Sequence, residues 1–368
     1  MRVNLFADSP LERWHSMDRY ARSLFKALQQ VSPDLEVSLL IPPPPPFSVR
    51  GYLLILWRML VYPLWASRHP ADVYHILDHS YGHLAFGLDS NRVVVTIHDI
   101  APLAFPSLRL GASRLAWMIA WEGTQRAAWW ITISDFTHQE LRQWFKRKTK
   151  ISYGVDRHFR SLAEEEKSAW RKRLGRDKSK IILHVGHCQP RKNIEGLLLA
   201  LALLTKQGLD FLFVQLGGIF SDSQRHLIRE LGLEKRVLQI SQASSEEELV
   251  GFYNLADVLV MPSLYEGFGF PALEAMACGT PVVVSQVASL PEVVGDAGLL
   301  VDPRNPQSIA DAIAHILTDE RLAKELSCRG LERAQKFTWE KAAEETALVY
   351  RQVLEGKERV VGAHKHYS

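Results

Sequence analysis

The sequence predicts an α/β protein with two Rossmann-like parallel sheets. Short apolar runs rich in β-branched residues alternate with helical patterns along the chain, which is typical of parallel sheets. With 368 residues, the chain is long enough for two domains that each form a core. A polar and charged stretch near residues 156–178 interrupts the strand rhythm, so two sheets are favoured over one very wide sheet.

Predicted strands lie in both halves of the chain. In the first half they are Val3–Phe6, Val37–Ile41, Val73–Ile76, Val93–Ile97 and Trp130–Ile133. Between the first two, Met17–Gln30 has apolar residues at helical spacing and is a predicted helix. In the second half the predicted strands are Ile181–Val185, Phe211–Leu216, Val237–Ile240, Val258–Met261 and Pro281–Val284.

The polar stretch also sets the expected domain boundary. We expect an N-terminal domain over residues 1–160, a C-terminal domain over 161–338, and a terminal segment over 339–368. That segment begins with a predicted helix, Trp339–Leu354. One possible position for this helix is against the N-terminal domain. A frayed tail is expected after it.

Composition excludes several classes of protein. The 44 basic and 41 acidic residues leave a net charge of +3, too small to indicate nucleic acid as a partner. The 3 cysteines are far apart and lack the spacing of a metal site, which is typical of a reducing, cytoplasmic compartment. The first residues show no signal-peptide pattern.

One apolar run, Tyr52–Ala66, leaves two interpretations open. Arg58 and Pro63 interrupt it, and it is shorter than the roughly 20 residues that span a bilayer. A buried helix is the favoured interpretation. The alternative is a helix at a membrane surface, because this run carries Trp and Tyr residues, which suit headgroup depth.

A second feature bears on the same question. Basic residues crowd the segment Arg142–Lys150, beside Trp144 and Phe145. A solvated helix face is favoured, and peripheral contact with an anionic membrane is the alternative.

The segment Glu266–Pro281 carries the most chemistry. Gly267 and Gly269 flank a loop that exposes backbone N–H groups, and a helix then begins, whose N-terminus suits a phosphate. Glu266 and Glu274 stand eight positions apart and can accept hydrogen bonds from sugar hydroxyls. A ligand with both phosphates and hydroxyls, such as a nucleotide-sugar, fits this combination.

Two adjacent cations follow another predicted strand. Ile181–Val185 stops at Gly186, and Arg191 and Lys192 come on the next loop. Ligands of open α/β sheets bind beyond the carboxyl ends of the strands, where this pair can clamp a pyrophosphate. A surface loop with two solvated cations is an equal alternative.

Polar residues also end two strands of the first half. His98 and Asp99 follow Val93–Ile97, where a histidine can donate to a sugar hydroxyl or sense developing charge. A structural hydrogen bond is the equal alternative for His98. Ser134 follows a strand in the same way, although a helix cap is favoured there.

We expect no metal site. The cluster His75, Asp78, His79 and His83 matches no zinc spacing, and no pair of acidic residues follows a strand. The cations Arg191 and Lys192 could neutralise phosphates in place of a divalent ion.

These motifs resemble the retaining, GT-B fold glycosyltransferases of glycosyltransferase family 4. The segment Glu266–Pro281 is similar to that family's E-x7-E signature, and the other similar segments occur in the same order: Thr96–Asp99, Ile133–Phe136, Tyr153–Asp156, Val185–Gly186 and Pro190–Asn193. Tyr153 stands where the family usually has asparagine.

The resemblance implies that the two Rossmann-like domains face each other across a cleft (the GT-B fold), and it implies a role for each matching residue. Arg191 and Lys192 would hold the donor diphosphate, with help from backbone N–H groups at Gly267, Phe268 and Gly269. Glu266 would face the transferred sugar and Glu274 the ribose, in a C-terminal donor domain. His98 would contribute to catalysis from an N-terminal acceptor domain. The family retains the anomeric configuration without a metal, and the leaving phosphate takes the acceptor proton.

The sequence departs from the family in the loop Asp8–Ser16. This loop lacks the paired glycines that approach the diphosphate, and Trp14 would block a close backbone approach. We therefore expect Trp14 and His15 to shape the acceptor pocket, together with Asp99 and Ser134.

The sequence thus predicts a cytoplasmic, metal-independent hexosyltransferase that uses a GDP- or UDP-sugar and no further cofactor. The expected acceptor is a lipid-linked or envelope glycan, such as capsule or O-antigen, with the protein peripheral at the inner membrane face. The alternatives are a nucleotide-sugar epimerase, a phosphorylase or a non-catalytic nucleotide-sugar-binding protein. An NAD-dependent dehydrogenase ranks last, because no strand precedes G-x-G-x-x-G.

Overall fold

The chain folds into two compact units, each built on one sheet. The computed structural model describes residues 1–9, 11, 15–45, 52–101, 112–174 and 179–364. The first unit comprises residues 1–154 and 338–368, and the second comprises residues 155–337. Each sheet has 6 strands, and all neighbouring strands run parallel, as the alternation of strands and helices predicts.

The first sheet has the strand order β2-β1-β3-β4-β5-β6. Its strands are β1 Arg2–Phe6, β2 Glu36–Leu40, β3 Val73–Ile76, β4 Val93–Ile97, β5 Trp129–Thr132 and β6 Lys148–Lys150. The described α-helices of this unit are α1 His15–Val31, α2 Tyr52–Ala66, α3 Ala112–Gln125, α4 Asp135–Glu140 and the C-terminal helix Trp339–His364. Strand β6 was not predicted, because its three residues are polar and belong to the basic segment that we interpreted as a helix face.

The second sheet has the strand order β12-β11-β10-β7-β8-β9. Its strands are β7 Lys180–Val185, β8 Phe211–Leu216, β9 Val237–Ile240, β10 Val258–Met261, β11 Val282–Ser285 and β12 Gly298–Val301. Its described α-helices are α5 Glu164–Leu174, α6 Ile194–Lys206, α7 Asp222–Glu230, α8 Glu246–Leu255, α9 Phe270–Ala277, α10 Leu290–Val294, α11 Pro306–Thr318 and α12 Glu320–Ala334. The edge strand β12 was not predicted, since it is one short apolar run without the regular alternation of strands and helices on both sides.

The order of the second sheet creates a switch point. From β7 the chain runs outward through β8 and β9, then returns to pair β10 with the other side of β7. The loops after β7 and β10 therefore diverge at neighbouring positions, which opens a crevice at the carboxyl ends of the strands. The sequence candidates Gly186 and Glu266 follow these two strands.

The C-terminal helix, named α13, packs on α1 of the first unit and continues to His364, beyond the predicted end at Leu354. The Tyr350 hydroxyl is hydrogen-bonded to His75 Nδ1 at 2.7 Å, and both side chains are fully buried. Burial and the neighbouring His98 lower the pKa of His75 to about 3, so its imidazole is neutral near pH 7.

The buried-helix interpretation of α2 is wrong for one face. Tyr62 and Ala66 are buried in the core of the first unit, but the opposite face exposes more than half of four leucine side chains: Leu53, Leu56, Leu60 and Leu64. None of the described helices combines the length and apolarity needed to cross a membrane.

We expect Tyr350→Phe to destabilise the protein, because it leaves the buried His75 nitrogen without its partner. The free energy of unfolding, measured by urea titration, should fall by about 1–3 kcal/mol. Arg351→Ala is the matched control on the next residue of α13. It removes an exposed pair with Asp34 at 3.1 Å and should change the free energy of unfolding much less than Tyr350→Phe does, because solvent screens exposed pairs. Equal effects of the two substitutions would contradict a structural role for the His75 bond.

Candidate active site

A buried carboxylate joins the two loops at the switch point of the second sheet. Glu266, on the loop after β10, is 6% exposed, and Lys192, on the loop after β7, is 7% exposed. Lys192 Nζ donates to Glu266 Oε1 at 2.5 Å, and Arg191 Nη1 donates to Oε2 at 3.2 Å. Ser263 Oγ also donates to Oε1, at 2.7 Å. The two cations that sequence reasoning singled out therefore converge on the glutamate that it singled out.

The electrostatics of this cluster fix the charge of Glu266. Burial alone would raise the pKa of its carboxyl group, but Lys192, Arg191 and the hydrogen bonds from Lys192 and Ser263 lower it to about 2. Glu266 is thus ionised throughout the neutral range. With two cations against one carboxylate, the cluster keeps one excess positive charge, which favours an anionic ligand.

Glycines shape the loops around these charges. Gly186 has φ +141° and Gly269 has φ +108°, values that favour glycine. A Cβ on Gly269 would also lie 2.6 Å from a methyl group of Leu290. Gly269 is the N-cap of α9, and Gly267 and Phe268 before it are buried.

Ser289 forms hydrogen bonds with the backbone of the loop between β10 and α9. Its hydroxyl lies 2.9 Å from the carbonyl oxygen of Glu266 and 3.0 Å from that of Phe268. The single O–H of Ser289 is shared between these two carbonyls or donated to one of them, and either arrangement ties the loop between β10 and α9 to Ser289.

The second glutamate of the signature is also buried. Glu274, in the middle of α9, is 3% exposed and accepts a hydrogen bond from the Tyr253 hydroxyl at 2.6 Å. Sequence reasoning missed Tyr253, Ser263 and Ser289. Ser263 could have been found, since it falls between the end of β10 and Glu266, whereas Tyr253 and Ser289 reach the site from other elements.

His98 lies in the first unit, just after β4, and is 6% exposed. Its Nε2 lies 2.7 Å from the carbonyl oxygen of Leu77, which can only accept, so Nε2 carries a proton. Its Nδ1 is hydrogen-bonded to the Tyr153 hydroxyl. Burial lowers the pKa of His98, so the ring is neutral and both nitrogens have protein partners. A catalytic role for His98 stays a prediction.

The other candidates of the first unit have local roles in the structure. Ser134 is the N-cap of α4: its Oγ accepts from the backbone N–H of Thr137 and bonds the Thr137 hydroxyl, which fits the favoured cap interpretation. Asp99 accepts from the backbone N–H of Ala101 at 2.9 Å. Trp14 and the side chain of His15 lie outside the described residues.

No group of three or more His, Cys, Asp or Glu side chains in the described ranges could hold a metal ion. In the cluster considered above, His75 is bonded to Tyr350 and Thr96, and Asp78 accepts from the backbone of Ser80. These contacts tie His75 and Asp78 to the core.

Comparison with known proteins matches both parts of the chain. A family model described as "Glycosyl transferases group 1" covers residues 166–333, and one described as "Glycosyltransferase Family 4" covers residues 15–159. O-antigen chain mannosyltransferase B of Escherichia coli is 33% identical over 326 residues, which cover 83% of this chain and 82% of that protein.

Solved structures share the fold. Sucrose-phosphate synthase of Thermosynechococcus elongatus superposes with a TM-score of 0.79 at 24% identity, over 97% of this chain and 100% of that one. HepE of Anabaena, solved in complex with UDP and glucose, has a TM-score of 0.74 at 20% identity, over 95% of this chain and 99% of that one.

The pKa of Glu266 predicts how stability depends on pH. Since it is lowered from 4.5 to about 2, Glu266 contributes stability that is present above about pH 4.5 and lost as the pH falls toward 2. The side chain of the Glu266→Gln variant cannot titrate. Between pH 4.5 and pH 2 its free energy of unfolding should therefore fall less than that of the wild type, and the difference should reach about 3 kcal/mol. Urea titrations at several pH values measure this difference. Glu164→Gln, at the exposed end of α5, should follow the wild type; parallel curves for Glu266→Gln would refute the ion-pair assignment.

Proposed function

This chain belongs to glycosyltransferase family 4, and on that premise we propose that it transfers mannose from GDP- or UDP-mannose to a glycan acceptor, with retention of configuration and without a metal. The chain is a glycosyltransferase with a GT-B fold. The mannose assignment is supported by the name of the 33% identical relative, a mannosyltransferase of O-antigen chains. The observation that carries the proposal is the convergence of Arg191 and Lys192 on Glu266 at the switch point.

The charges of the cluster suit a diphosphate leaving group. Arg191 can bond phosphate oxygens through its planar fork, and Lys192 supplies a point charge. Together they would stabilise the negative charge that grows on the leaving phosphate, which is the task that a divalent ion performs in other enzymes.

Each glutamate would recognise hydroxyl groups of the donor. Glu266 is ionised and oriented by three donors, so its oxygens can accept from sugar hydroxyls as Lys192 and Arg191 turn toward phosphate. Glu274, aligned by Tyr253, would accept from the ribose. In the proposed retaining reaction, the leaving phosphate oxygen takes the proton of the acceptor hydroxyl as the new glycosidic bond forms on the same face.

The acceptor is proposed to be a lipid-linked or envelope glycan, reached by peripheral contact with an anionic membrane at its cytoplasmic face. Support comes from the four exposed leucines of α2, here called the leucine ridge (Leu53, Leu56, Leu60 and Leu64). They recur at helical spacing on one side of α2, opposite the face that packs on the core. An apolar stripe of this kind on a soluble protein marks an interaction surface.

Neighbouring groups of the first unit fit a negatively charged bilayer. Helix α3, which packs against α2, exposes Leu115 and Met118. Trp144, half exposed, stands between basic residues whose side chains are also exposed: Arg142, Lys146 and Arg147. Tryptophan and basic side chains together suit the headgroup region of an anionic leaflet.

Two substitutions separate donor binding from turnover. Glu274→Ala should weaken binding of the donor about 10- to 100-fold, because it removes charged hydrogen bonds to the ribose. His98→Ala should leave donor affinity within about twofold and lower kcat about 100-fold. Calorimetry with GDP-mannose and UDP-mannose, and transfer assays with a mannan acceptor, measure both.

Glu195→Ala, which removes a half-buried carboxylate bonded to Gln224, is the control and should change neither constant. Unchanged donor affinity in Glu274→Ala would overturn the ribose assignment. Release of an epimer without any acceptor would instead favour an epimerase, and formation of a sugar phosphate with inorganic phosphate as the sole acceptor would favour a phosphorylase.

The leucine ridge is tested with Leu60→Ser together with Leu64→Ser. Co-sedimentation with vesicles of phosphatidylglycerol and phosphatidylcholine should fall at least about tenfold, since each leucine contributes on the order of 1 kcal/mol on insertion. Leu348→Ser removes a leucine that is 54% exposed on α13 and should bind as the wild type does. Wild-type binding by the double variant would rule out insertion of the ridge.

A further inference from the structure

A buried histidine and glutamine lie beneath the donor loop, and neither has a role in the reaction described above. His184 on β7 and Gln215 on β8 are partners in the strand register, and both are fully buried. His184 stands two residues before Gly186, where the loop that carries Arg191 and Lys192 leaves the sheet. A polar pair in such a place requires partners for all its atoms.

The direction of each hydrogen bond in this pair is determined. Gln215 Nε2 lies 2.7 Å from the carbonyl oxygen of Gly186, which can only accept, so this end of the amide is the donor. The other end, Oε1, is therefore the acceptor, and His184 Nδ1 donates to it at 2.8 Å. The proton of the neutral imidazole is thus on Nδ1, and Nε2 keeps a lone pair.

That lone pair is buried without a hydrogen-bond partner. The His184 ring and the Lys192 ammonium both lie next to Gly186. A Cβ placed on Gly186 would be 3.8 Å from His184 Cε1 and 3.7 Å from Lys192 Nζ, so the two side chains border the same small space. Burial and the charge of Lys192 lower the pKa of His184 to about 4, so the ring is neutral at physiological pH and can accept. A charged imidazole there would repel Lys192.

We propose that His184 is a positioning residue, whose Nε2 accepts a hydrogen bond from Lys192 when the donor diphosphate draws the ammonium away from Glu266. An ammonium has three N–H donors, so Lys192 can donate to phosphate and to His184 at the same time after it leaves Glu266. Gln215 holds the imidazole in the tautomer that this requires, and its other end fixes the carbonyl of Gly186. The inference rests on the proposed function in one respect, that Lys192 binds the diphosphate.

His184→Phe keeps the size of the side chain and removes the acceptor. We expect it to weaken binding of inorganic pyrophosphate, GDP and UDP about three- to tenfold in calorimetry, the effect of one hydrogen bond. His184→Gln can place an amide oxygen near the position of Nε2 and should restore most of the affinity. Gln239→Met is the matched control, because Gln239 on β9 makes the corresponding bond to the carbonyl of Gly218 on the loop after β8; it should bind as the wild type does.

A double-mutant cycle with Lys192→Met shows whether His184 acts through the ammonium. His184→Phe should have no further effect in the Lys192→Met background. If the losses of diphosphate affinity in the two single variants add up in the double variant, the positioning role is overturned and the donor site stands. The same conclusion follows if His184→Phe keeps wild-type affinity while Lys192→Met binds weakly. Unchanged diphosphate affinity in Lys192→Met would overturn the donor site itself, and the positioning role with it.

Discussion

The ion pairs of Glu266 with Arg191 and Lys192 are the constraint on which the second unit's site depends. Glu266 and Lys192 are held almost out of water, with Arg191 partly exposed beside them, and an unpaired charge buried in this way would cost several kcal/mol. Each loop therefore needs the other: the loop after β7 supplies the cations and the loop after β10 supplies the carboxylate. The order of the strands makes this meeting feasible, because it sends the two loops into one crevice.

The same pairs hold the groups of the candidate site in fixed positions. In the proposed function, the donor diphosphate replaces Glu266 as the partner of Arg191 and Lys192, and groups that are already aligned lose little entropy when it binds. The bonds from Ser289 to the loop carbonyls and from Tyr253 to Glu274 serve this alignment from neighbouring elements. Residues outside the signature thus support the residues within it.

Much of this arrangement could be predicted from the sequence. Buried parallel strands give continuous apolar runs, so the strand pattern is a strong signal. The cations after β7 give a weaker signal by themselves, because a surface loop explains them equally well. The edge strands β6 and β12 were missed because their own composition does not indicate a strand. They belong to the sheets because they pair with the neighbouring strands. The exposed face of α2 was missed since its sequence is apolar on all sides, and only packing shows which side the core covers. Likewise, the hydrogen-bond partners of His98 are Leu77 and Tyr153. Both are far from His98 in the sequence, so no local sequence pattern could predict these contacts.

The return of α13 to the first unit also determines the order in which a newly made chain can fold. The second unit is a continuous stretch and is complete once residue 337 has left the ribosome, but the first unit is not. His75 is 275 positions away from Tyr350, its partner on α13, so this part of the core waits for nearly the whole chain to be synthesised. The N-terminal unit is therefore the last to close, and until then the surface of α1 that α13 covers is exposed to solvent.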